Sequence, residues 1–247
     1  MSAALAPAIT ETEPRMRLWT RGEFDRMLAL DVFPPDEDVE LYDGQIYLPD
    51  QEHSRLWNRD EYHRLADTSI LGADERLELL EGEIIENVTN NPPQATAVGK
   101  TVDEIRRVFA AGFIVREQHP LDVSLCSEPE PDVLVAPGKR DDYADHHPTP
   151  AEAVLVVEVS DTSLRTDRGR KTGIYAKAGC PEYWIVNVTH RQLEVHRSPS
   201  AFGYADVQIY ATGQTVSPLA ASDVSIAVSD LLPSRPDTRS LGVRTKP

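Results

Sequence analysis

The pattern of apolar and polar positions divides the chain into an N-terminal repeat and a longer run of alternating helices and strands. Residues 17–46 align with residues 55–84 without a gap, at an offset of 38 positions, and 12 of the 30 aligned residues are identical. In each copy Thr20 or Asn58 precedes a glutamate by three positions, the spacing of a helix capping box. An Asp-Gly or Glu-Gly pair then predicts a tight turn between short strands. Each copy is therefore predicted to be a short helix followed by a β-hairpin.

The chain after the repeat shows first a helical and then a mostly strand-like periodicity. Apolar residues spaced three and four apart, from Val98 to Phe109, predict a helix over residues 96–112 that ends at Gly112. The continuous apolar run at 151–160 predicts a strand in the middle of a sheet. Further strands are predicted over 113–126, 131–136, 182–188 and 192–198, with a helix over 166–179.

This order of elements predicts an α/β protein in three parts. Residues 1–50 form an N-terminal tail and the first hairpin repeat, residues 51–232 form one domain that includes the second copy, and residues 233–247 form a disordered tail. Only the second copy runs directly into the rest of the fold. We therefore expect residues 1–50 to be dispensable for folding of the remainder.

Composition and charge narrow the classes of function. The formal net charge of −16 argues against loose, charge-driven binding to nucleic acid or to anionic membranes. It leaves room for a site in which metal ions bridge acids to phosphates. No apolar run approaches the length of a membrane span, no secretory signal is visible, and the two cysteines are too few for a disulfide framework. A cytoplasmic protein without a membrane partner is expected.

Three charged residues stand where the apolar pattern makes them notable. Asp132 follows Pro131 at the start of one predicted strand, Glu158 lies near the end of the most apolar strand, and Lys171 lies on the next helix. Two carboxylates on adjacent strands can hold a hard divalent cation, and an ammonium can orient water or neutralise developing charge. Each acid also has a structural interpretation: Asp132 as a strand-start residue, and Glu158 as a buried carboxylate with a partner.

The basic residues that precede Lys171 allow two interpretations. Arg165, Arg168 and Arg170 are predicted either to meet DNA phosphates or to form local ion pairs on a solvated helix face. Periodicity does not separate Arg170 from Lys171 as the partner of Glu158. The planar guanidinium is better suited to outer phosphates, and the compact ammonium to a confined site, so Lys171 is the predicted partner.

Three segments together resemble the Uma-two family of restriction-endonuclease-like proteins, which is assigned to the PD-(D/E)xK nuclease superfamily. They are "LELLEGEIIENV", "EPEPDVLVAP" and "LVVEVSDTSLRTDRGRKTGIYAKAGCPEYWIVNV", and the resemblance runs from about Trp57 to about Leu232. It implies a restriction-endonuclease-like core, with a mixed β-sheet flanked by helices. To this core the chain would add the duplicated N-terminal helix-hairpin unit.

The resemblance also implies roles for individual residues. Asp132 and Glu158 would bind Mg²⁺ or Mn²⁺, Glu78 would be an upstream catalytic acid, and Lys171 would be the family's lysine moved from the strand to the following helix. DNA would be the substrate, and a homodimer is a common assembly in the family. The chain departs from the pattern at Ser160, where the superfamily usually has lysine, and at Gln94, where the family tends to have histidine.

The sequence is compatible with two functions from different classes. The first is a hydrolase, a metal-dependent endonuclease that cleaves DNA phosphodiester bonds, and the retained Asp132, Glu158 and Lys171 favour it. The second is a catalytically weak or inactive protein of nuclease fold that acts as a binding or regulatory module. Net acidity and Gln94 favour this alternative. Binding of Mg²⁺ or Mn²⁺ discriminates between the two.

Overall fold

The computed structural model describes residues 13–88 and 91–234 of the chain. Its first part contains β1 (Arg15–Met16), α1 (Arg21–Ala29), β2 (Glu40–Tyr42), β3 (Gln45–Leu48), β4 (His53–Ser54), α2 (Arg59–Asp67), β5 (Leu77–Leu80) and β6 (Glu83–Glu86). The second part contains α3 (Pro92–Val108), β7 (Phe113–Glu117), β8 (Val133–Pro137), β9 (Leu155–Ser160), β10 (Glu182–Asn187), β11 (Gln192–Ser200), β12 (Gly203–Ala211), β13 (Thr215–Val216) and β14 (Ile226–Ala227).

A helix of mixed geometry connects β9 to β10. It consists of one α turn, Leu164–Thr166, a π-helical stretch, Asp167–Lys171, and an α-helix, Thr172–Lys177. We refer to these residues together as the composite helix. Short 3₁₀ segments occupy Pro49–Gln51, Arg140–Tyr143, Leu219–Ala221 and Val228–Asp230. No helix of the described residues is long and apolar enough to cross a membrane.

A six-stranded sheet in the order β12-β11-β10-β9-β8-β7 forms the centre of the molecule. Strands β9 and β10 run parallel through the composite-helix crossover, while the other neighbouring pairs are antiparallel. Helix α3 covers one face, where its apolar stripe packs on alternate residues of β8 and β9. Tyr175 of the composite helix covers the other face, against Leu134 and Tyr183. The predicted mixed sheet flanked by helices is thus confirmed.

Several predicted boundaries were wrong, for local reasons. The strand predicted over 113–126 ends at Glu117, because Gln118 takes a positive φ of 51° and the chain turns away from the sheet. Helix α3 begins before the predicted residue 96, at Pro92, since the side chain of Asn91 accepts a hydrogen bond from the Gln94 amide and caps it. Most of the tail predicted to be disordered, residues 235–247, lies outside the described residues.

The local signals of the repeat are confirmed in both copies. Helices α1 and α2 begin with complete capping boxes, Thr20 with Glu23 and Asn58 with Glu61. The hairpin turns at Asp43-Gly44 and Glu81-Gly82 have positive φ at both positions, as in a type I′ turn. Such a turn matches the twist of the strands that it joins.

The two copies exchange contacts reciprocally rather than folding side by side. Strand β1, which precedes copy one, pairs with β6 of copy two, and β4, which precedes copy two, pairs with β3 of copy one. Arg17 donates to Glu75 of the second copy at 2.6 Å, and the equivalent Arg55 donates to Glu37 of the first copy at 2.7 Å. Arg17 and Arg55 are equivalent at the offset of 38 positions, and so are Glu37 and Glu75, so the two ion pairs correspond to each other. The unit therefore has the pairing pattern of a symmetric dimer within one chain.

One apolar cluster joins the copies. The rings of Trp19 and Trp57, which are equivalent residues, lie 5.5 Å apart, and Leu65, Leu77 and Leu79 of copy two pack with Phe24 and Met27 of copy one. Removal of copy one would expose this surface and leave Arg55 without Glu37. The packing therefore does not support the expectation that residues 1–50 are dispensable.

Variants Glu37→Gln and Glu75→Gln test the crossed ion pairs. Each substitution leaves a buried guanidinium with one carboxylate partner fewer, so we expect each to lower the free energy of unfolding by about 1–3 kcal/mol. Urea denaturation measures the loss. Asp25→Asn is the control: it breaks an exposed pair with Arg21 and should cost less than about 0.5 kcal/mol.

Acid should remove the contribution of Glu75. The hydrogen bond from Arg17 lowers the pKa of the Glu75 carboxyl. Its stabilisation is therefore fully present above the ordinary glutamate pKa and is lost as the pH falls through the lowered value of the folded state. The difference in the free energy of unfolding between the wild type and Glu75→Gln should become smaller as the pH is lowered. A difference in the free energy of unfolding that stays constant with pH would contradict the crossed pairs. Losses for Glu37→Gln and Glu75→Gln no larger than the loss for Asp25→Asn would contradict them as well.

Candidate active site

A buried ammonium connects two buried carboxylates at one end of the central sheet. Lys171 Nζ lies 3.0 Å from Glu158 Oε1 and 2.9 Å from Glu78 Oε2. Lys171 is 5% exposed, Glu158 4% and Glu78 2%, so water cannot screen these charges. Glu78 Oε2 has no well-directed hydrogen bond and is held by this ion pair. The predicted partnership of Glu158 with Lys171 is present, and Glu78 joins it from β5.

The π-helical stretch sets the face that the composite helix presents to the site. Asp167, Lys171 and Tyr175 follow one another at intervals of four residues, and all three are buried. In a regular α-helix each interval of four would rotate the side chain by about 40°. The wider π turn reduces that drift, so the three side chains stay on one face. The Tyr175 hydroxyl donates to Glu158 Oε1 at 2.8 Å.

Strand register places Asp132 beside Glu158. Val133 of β8 pairs with Val157 of β9 in an antiparallel ladder, so one further step sets Asp132 opposite Glu158 on the same face. Asp132 Oδ2 accepts a hydrogen bond from the Val159 amide at 2.8 Å, and Oδ1 accepts one from Gln118 Nε2 at 3.2 Å. Asp132 is 8% exposed. Its position is therefore fixed by the backbone of β9.

Glu78, Asp132, Glu158 and Lys171 line one polar cleft, so the four predicted site residues come together. The same cleft is lined by residues that the sequence analysis did not single out: Arg76, Asn87, Glu130 and Asp167. Asn87 Nδ2 donates to Glu78 Oε1 at 2.8 Å. Ser163 donates to Asp167 Oδ2 at 2.6 Å, and Ser160 donates to the same oxygen. Glu130 could have been identified from the sequence, because it stands two residues before Asp132 in an extended segment and alternate residues of such a segment share one face.

Burial dominates the electrostatics of these acids. It raises the pKa of Glu158 well above its ordinary value; nearby Asp167, Asp132 and Glu78 add to the effect, and Lys171 opposes it. Burial also raises the pKa of Asp132, against the hydrogen bond from Val159. The pKa of Glu130 rises to about 7, through burial and the charge of Glu78. The cleft is lined by five acidic side chains and two basic ones, so its formal charge is negative, and its environment favours the protonated forms of Glu158, Asp132 and Glu130.

At Lys171 the neighbouring charges outweigh burial, and the charged form is favoured. Burial alone would lower the pKa of its ammonium, but the charges of Glu158, Glu78 and Asp167 outweigh burial and raise this pKa well above the ordinary value. Lys171 therefore remains protonated at neutral pH. It can donate hydrogen bonds and neutralise negative charge, but it has no lone pair with which to accept a proton.

The residues present fit a hard divalent cation. Among residues 13–88 and 91–234, no three side chains of His, Cys, Asp or Glu form a ready-made metal cluster. Asp132 and Glu158 nevertheless offer carboxylate oxygens from opposite positions of a ladder, in a cleft with excess negative charge. Mg²⁺ is commonly held by one or two carboxylates while it retains several waters. The donor set matches that kind of site.

The basic residues before Lys171 form local ion pairs. Arg170 contacts Glu83 at 2.6 Å and Glu81 at 3.2 Å, Arg168 contacts Glu194 at 2.7 Å, and Arg165 contacts Glu13 at 2.9 Å. The suggestion that Arg170 serves outer DNA phosphates is therefore not supported, because its guanidinium ties the composite helix to the second hairpin. Gln94 lines the cleft and donates to the Val159 carbonyl at 2.9 Å.

Replacement of Lys171 by methionine should destabilise the fold in a pH-dependent way. Lys171→Met leaves Glu78 and Glu158 buried without their cation, and we expect a loss of about 3–5 kcal/mol at neutral pH. A carboxyl group with a raised pKa in the folded state favours folding at low pH, and that contribution disappears as the pH rises through the raised value. The pKa of Glu158 should rise further in the variant, so the loss should be smaller near pH 5 than near pH 8.

Thermal denaturation across this pH range measures the effect. Lys177→Met is the matched control, because Lys177 is an exposed lysine of the same helix, 3.6 Å from Glu81. It should cost less than about 1 kcal/mol at every pH. A Lys171→Met loss that is equally large at both ends of the range would show that the ammonium does not hold the two acids.

Comparison with known proteins agrees with this architecture. The sequence model of the Uma2 (Uma-two) family, described as "Putative restriction endonuclease", matches residues 59–229. No curated protein matches the chain. A crystal structure from Anabaena variabilis, described as a "putative nuclease belonging to DUF820", is similar in fold, with a TM-score of 0.58 and 16% sequence identity over 70% of this chain and 96% of that one. With a match over most of its length, the chain belongs to the Uma2 family of restriction-endonuclease-like proteins.

Proposed function

We propose that this protein is a metal-dependent endonuclease that hydrolyses phosphodiester bonds in DNA. The observation that carries the proposal is the convergence of Glu78, Asp132, Glu158 and Lys171 in one cleft of a chain from a nuclease family. Such a cleft joins a cation site to a fixed ammonium. Both can promote hydrolysis of a phosphodiester, because negative charge grows on the phosphate oxygens while water attacks.

Asp132 and Glu158 would hold the cation. Bound Mg²⁺ or Mn²⁺ would supply charge neutralisation at the phosphate and a lowered pKa of water. Asp132 is oriented for this role by the Val159 amide, and one oxygen of Glu158 is fixed by Tyr175 and Lys171. These contacts limit the freedom of both carboxylates before any substrate arrives.

Lys171 would act as a hydrogen-bond donor rather than as a base. Its charge is maintained by Glu158 and Glu78, so the ammonium can orient the attacking water and face the developing negative charge. Glu78 would assist by keeping the lysine in place across the cleft. Asn87, which donates to Glu78 Oε1, in turn fixes Glu78.

A binding or regulatory module of nuclease fold is the second candidate. It is favoured by Gln94, whose amide is already bonded to Val159, and by the net charge of −16. The family resemblance further implies a homodimer, in which two clefts would address the two strands of a duplex. Metal binding and cleavage, tested separately, distinguish the enzyme from the module.

Metal binding should raise the melting temperature of the wild-type protein. A cation relieves the repulsion among buried carboxylates, and a ligand that binds the folded state alone stabilises it by mass action. We expect Mn²⁺ to raise the melting temperature by several degrees in the wild type and to leave a double Asp132→Ala, Glu158→Ala variant unchanged. Differential scanning fluorimetry measures this shift. An equal rise in both proteins would mean that the metal binds elsewhere.

Cleavage should depend on Glu78 and not on Glu40, its equivalent in the first repeat copy. Glu78 is buried beside Lys171, whereas Glu40, its equivalent in copy one, is exposed. We expect Glu78→Gln and Lys171→Met to lower metal-dependent plasmid cleavage by roughly 100-fold or more, the usual effect of removing one transition-state contact. Glu40→Gln should cleave at the wild-type rate. Wild-type cleavage by Lys171→Met would contradict the assignment of the ammonium to catalysis.

A further inference from the structure

A second cleft, rich in basic residues, lies along the outer edge of the central sheet. It is lined by β7, by the residues that follow β7, and by the loop that begins at Arg140, and its basic members are Arg106, Arg116, His119, Arg140 and His147. Two acids also line it, Glu117 and Asp141, and Glu117 is paired with Arg106 at 3.4 Å. The chain has 41 acidic and 25 basic residues, so such a grouping runs against its composition.

Arg116 lies in this cleft with an unused donor. Its Nη2 is 3.0 Å from His147 Nδ1, which fixes one end of the guanidinium, and its Cζ lies 6.0 Å from the centroid of the Tyr143 ring. Its Nε is buried and meets no hydrogen-bond acceptor among the described residues. Nε is enclosed by protein, so a ligand in the cleft would meet the part of this half-buried guanidinium that reaches solvent. A phosphate oxygen is an acceptor suited to a guanidinium.

Arg140 adds an available charge at the mouth of the same cleft. It is exposed, and no carboxylate in the described parts of the chain lies within ion-pair distance of it. This contrasts with Arg17, Arg55 and Arg170, each of which is held by two glutamates. Those three arginines hold elements together, whereas Arg140 faces solvent beside Arg116.

The basic cleft adjoins the candidate active site through Gln118. Gln118 lines the basic cleft, and its side chain donates to Asp132 Oδ1 at 3.2 Å while its amide donates to the Asp132 carbonyl at 3.3 Å. A ligand that extends along β7 beyond its last residue, Glu117, would therefore arrive next to the acidic cleft. The acidic cleft itself repels phosphates, so affinity for a nucleic-acid backbone has to come from a neighbouring surface.

We infer that this basic cleft binds the phosphodiester backbone of duplex DNA beside the bond that is cut, with Arg116 and Arg140 as the phosphate-contacting residues. The inference rests on the proposed function, because it assigns the surface that positions that function's substrate. It assigns no role in base recognition, since contacts to phosphates position a protein on DNA without reading its sequence.

The test measures DNA affinity separately from cleavage. Fluorescence anisotropy with a short labelled duplex, without divalent metal, follows binding by the full-length protein across a series of salt concentrations. We expect Arg140→Gln and Arg116→Gln each to weaken binding about 3- to 10-fold at low salt, and to reduce the slope of log K against log salt by about one. Arg21→Gln is the charge-matched control: Arg21 is exposed on α1, and its variant should bind like the wild type.

The outcomes separate the inference from the proposed function. If the wild type binds and cleaves DNA while Arg140→Gln binds as tightly as Arg21→Gln, the basic cleft is not the backbone site and the nuclease assignment stands. If the wild type neither binds the duplex at low salt nor cleaves it with metal, both fail. Arg140 is exposed, so its variant should fold normally even if Arg116→Gln does not. Arg140→Lys should restore most of the affinity, because it restores the charge.

Discussion

The buried ammonium of Lys171 is the interaction on which the geometry of the site depends. It connects three elements that are distant in sequence: β5 through Glu78, β9 through Glu158, and the composite helix that carries the lysine itself. Without a cation between them, two buried carboxylates could not both stay ionised at neutral pH without a large cost in stability. The second repeat copy is thereby attached to the central sheet by charge, in addition to the apolar contact of Leu80 and Ile85 with Ile174.

Positive charge is used in two different ways in this acidic protein. Most arginines that form ion pairs hold segments together: Arg168 fixes Glu194, Arg170 fixes the second hairpin, and Arg197 fixes Glu182. The lysine in the active-site cleft is different, because its carboxylate partners are the groups proposed to act on the substrate. A guanidinium there would hold both acids in a rigid fork, whereas an ammonium on a flexible stem can redistribute its hydrogen bonds.

The sequence allowed prediction of what depends on local chemistry and on the apolar pattern. The capping boxes, the two hairpin turns and the central position of β9 were accessible, because each follows from residue type and spacing. The pairing of Glu158 with Lys171 needed the chemistry of the ammonium and the family resemblance as well, because spacing did not separate Lys171 from Arg170. The path of residues 118–128 was not. Their apolar residues resemble a strand, but residues 126–128 lie beside β5 and the turn after it, where the Glu128 amide donates to the Leu79 carbonyl and the Gly82 amide donates to the Cys126 carbonyl.

Other features required three-dimensional information. Helical periodicity could not show that a π-helical stretch brings Asp167, Lys171 and Tyr175 onto one face, nor that Arg170 turns toward Glu83. The alignment of the two repeat copies showed that they are alike, but not that they exchange partners. Likeness between Arg17 and Arg55 is equally compatible with two independent units, and the distinction lies in long-range contacts with Glu75 and Glu37.

The exchange gives the two halves of the repeat unit different costs of loop closure despite equivalent contacts. Arg55 and Glu37 are separated by 18 residues, whereas Arg17 and Glu75 are separated by 58. The entropy of loop closure grows with the logarithm of loop length, and this ratio of lengths corresponds to about 1 kcal/mol. Strand β4 therefore docks on β3 at a lower entropic cost than β1 docks on β6. Two contacts that are equal by pseudosymmetry in the native state therefore close loops of different length, and the longer loop is the one closed by β1.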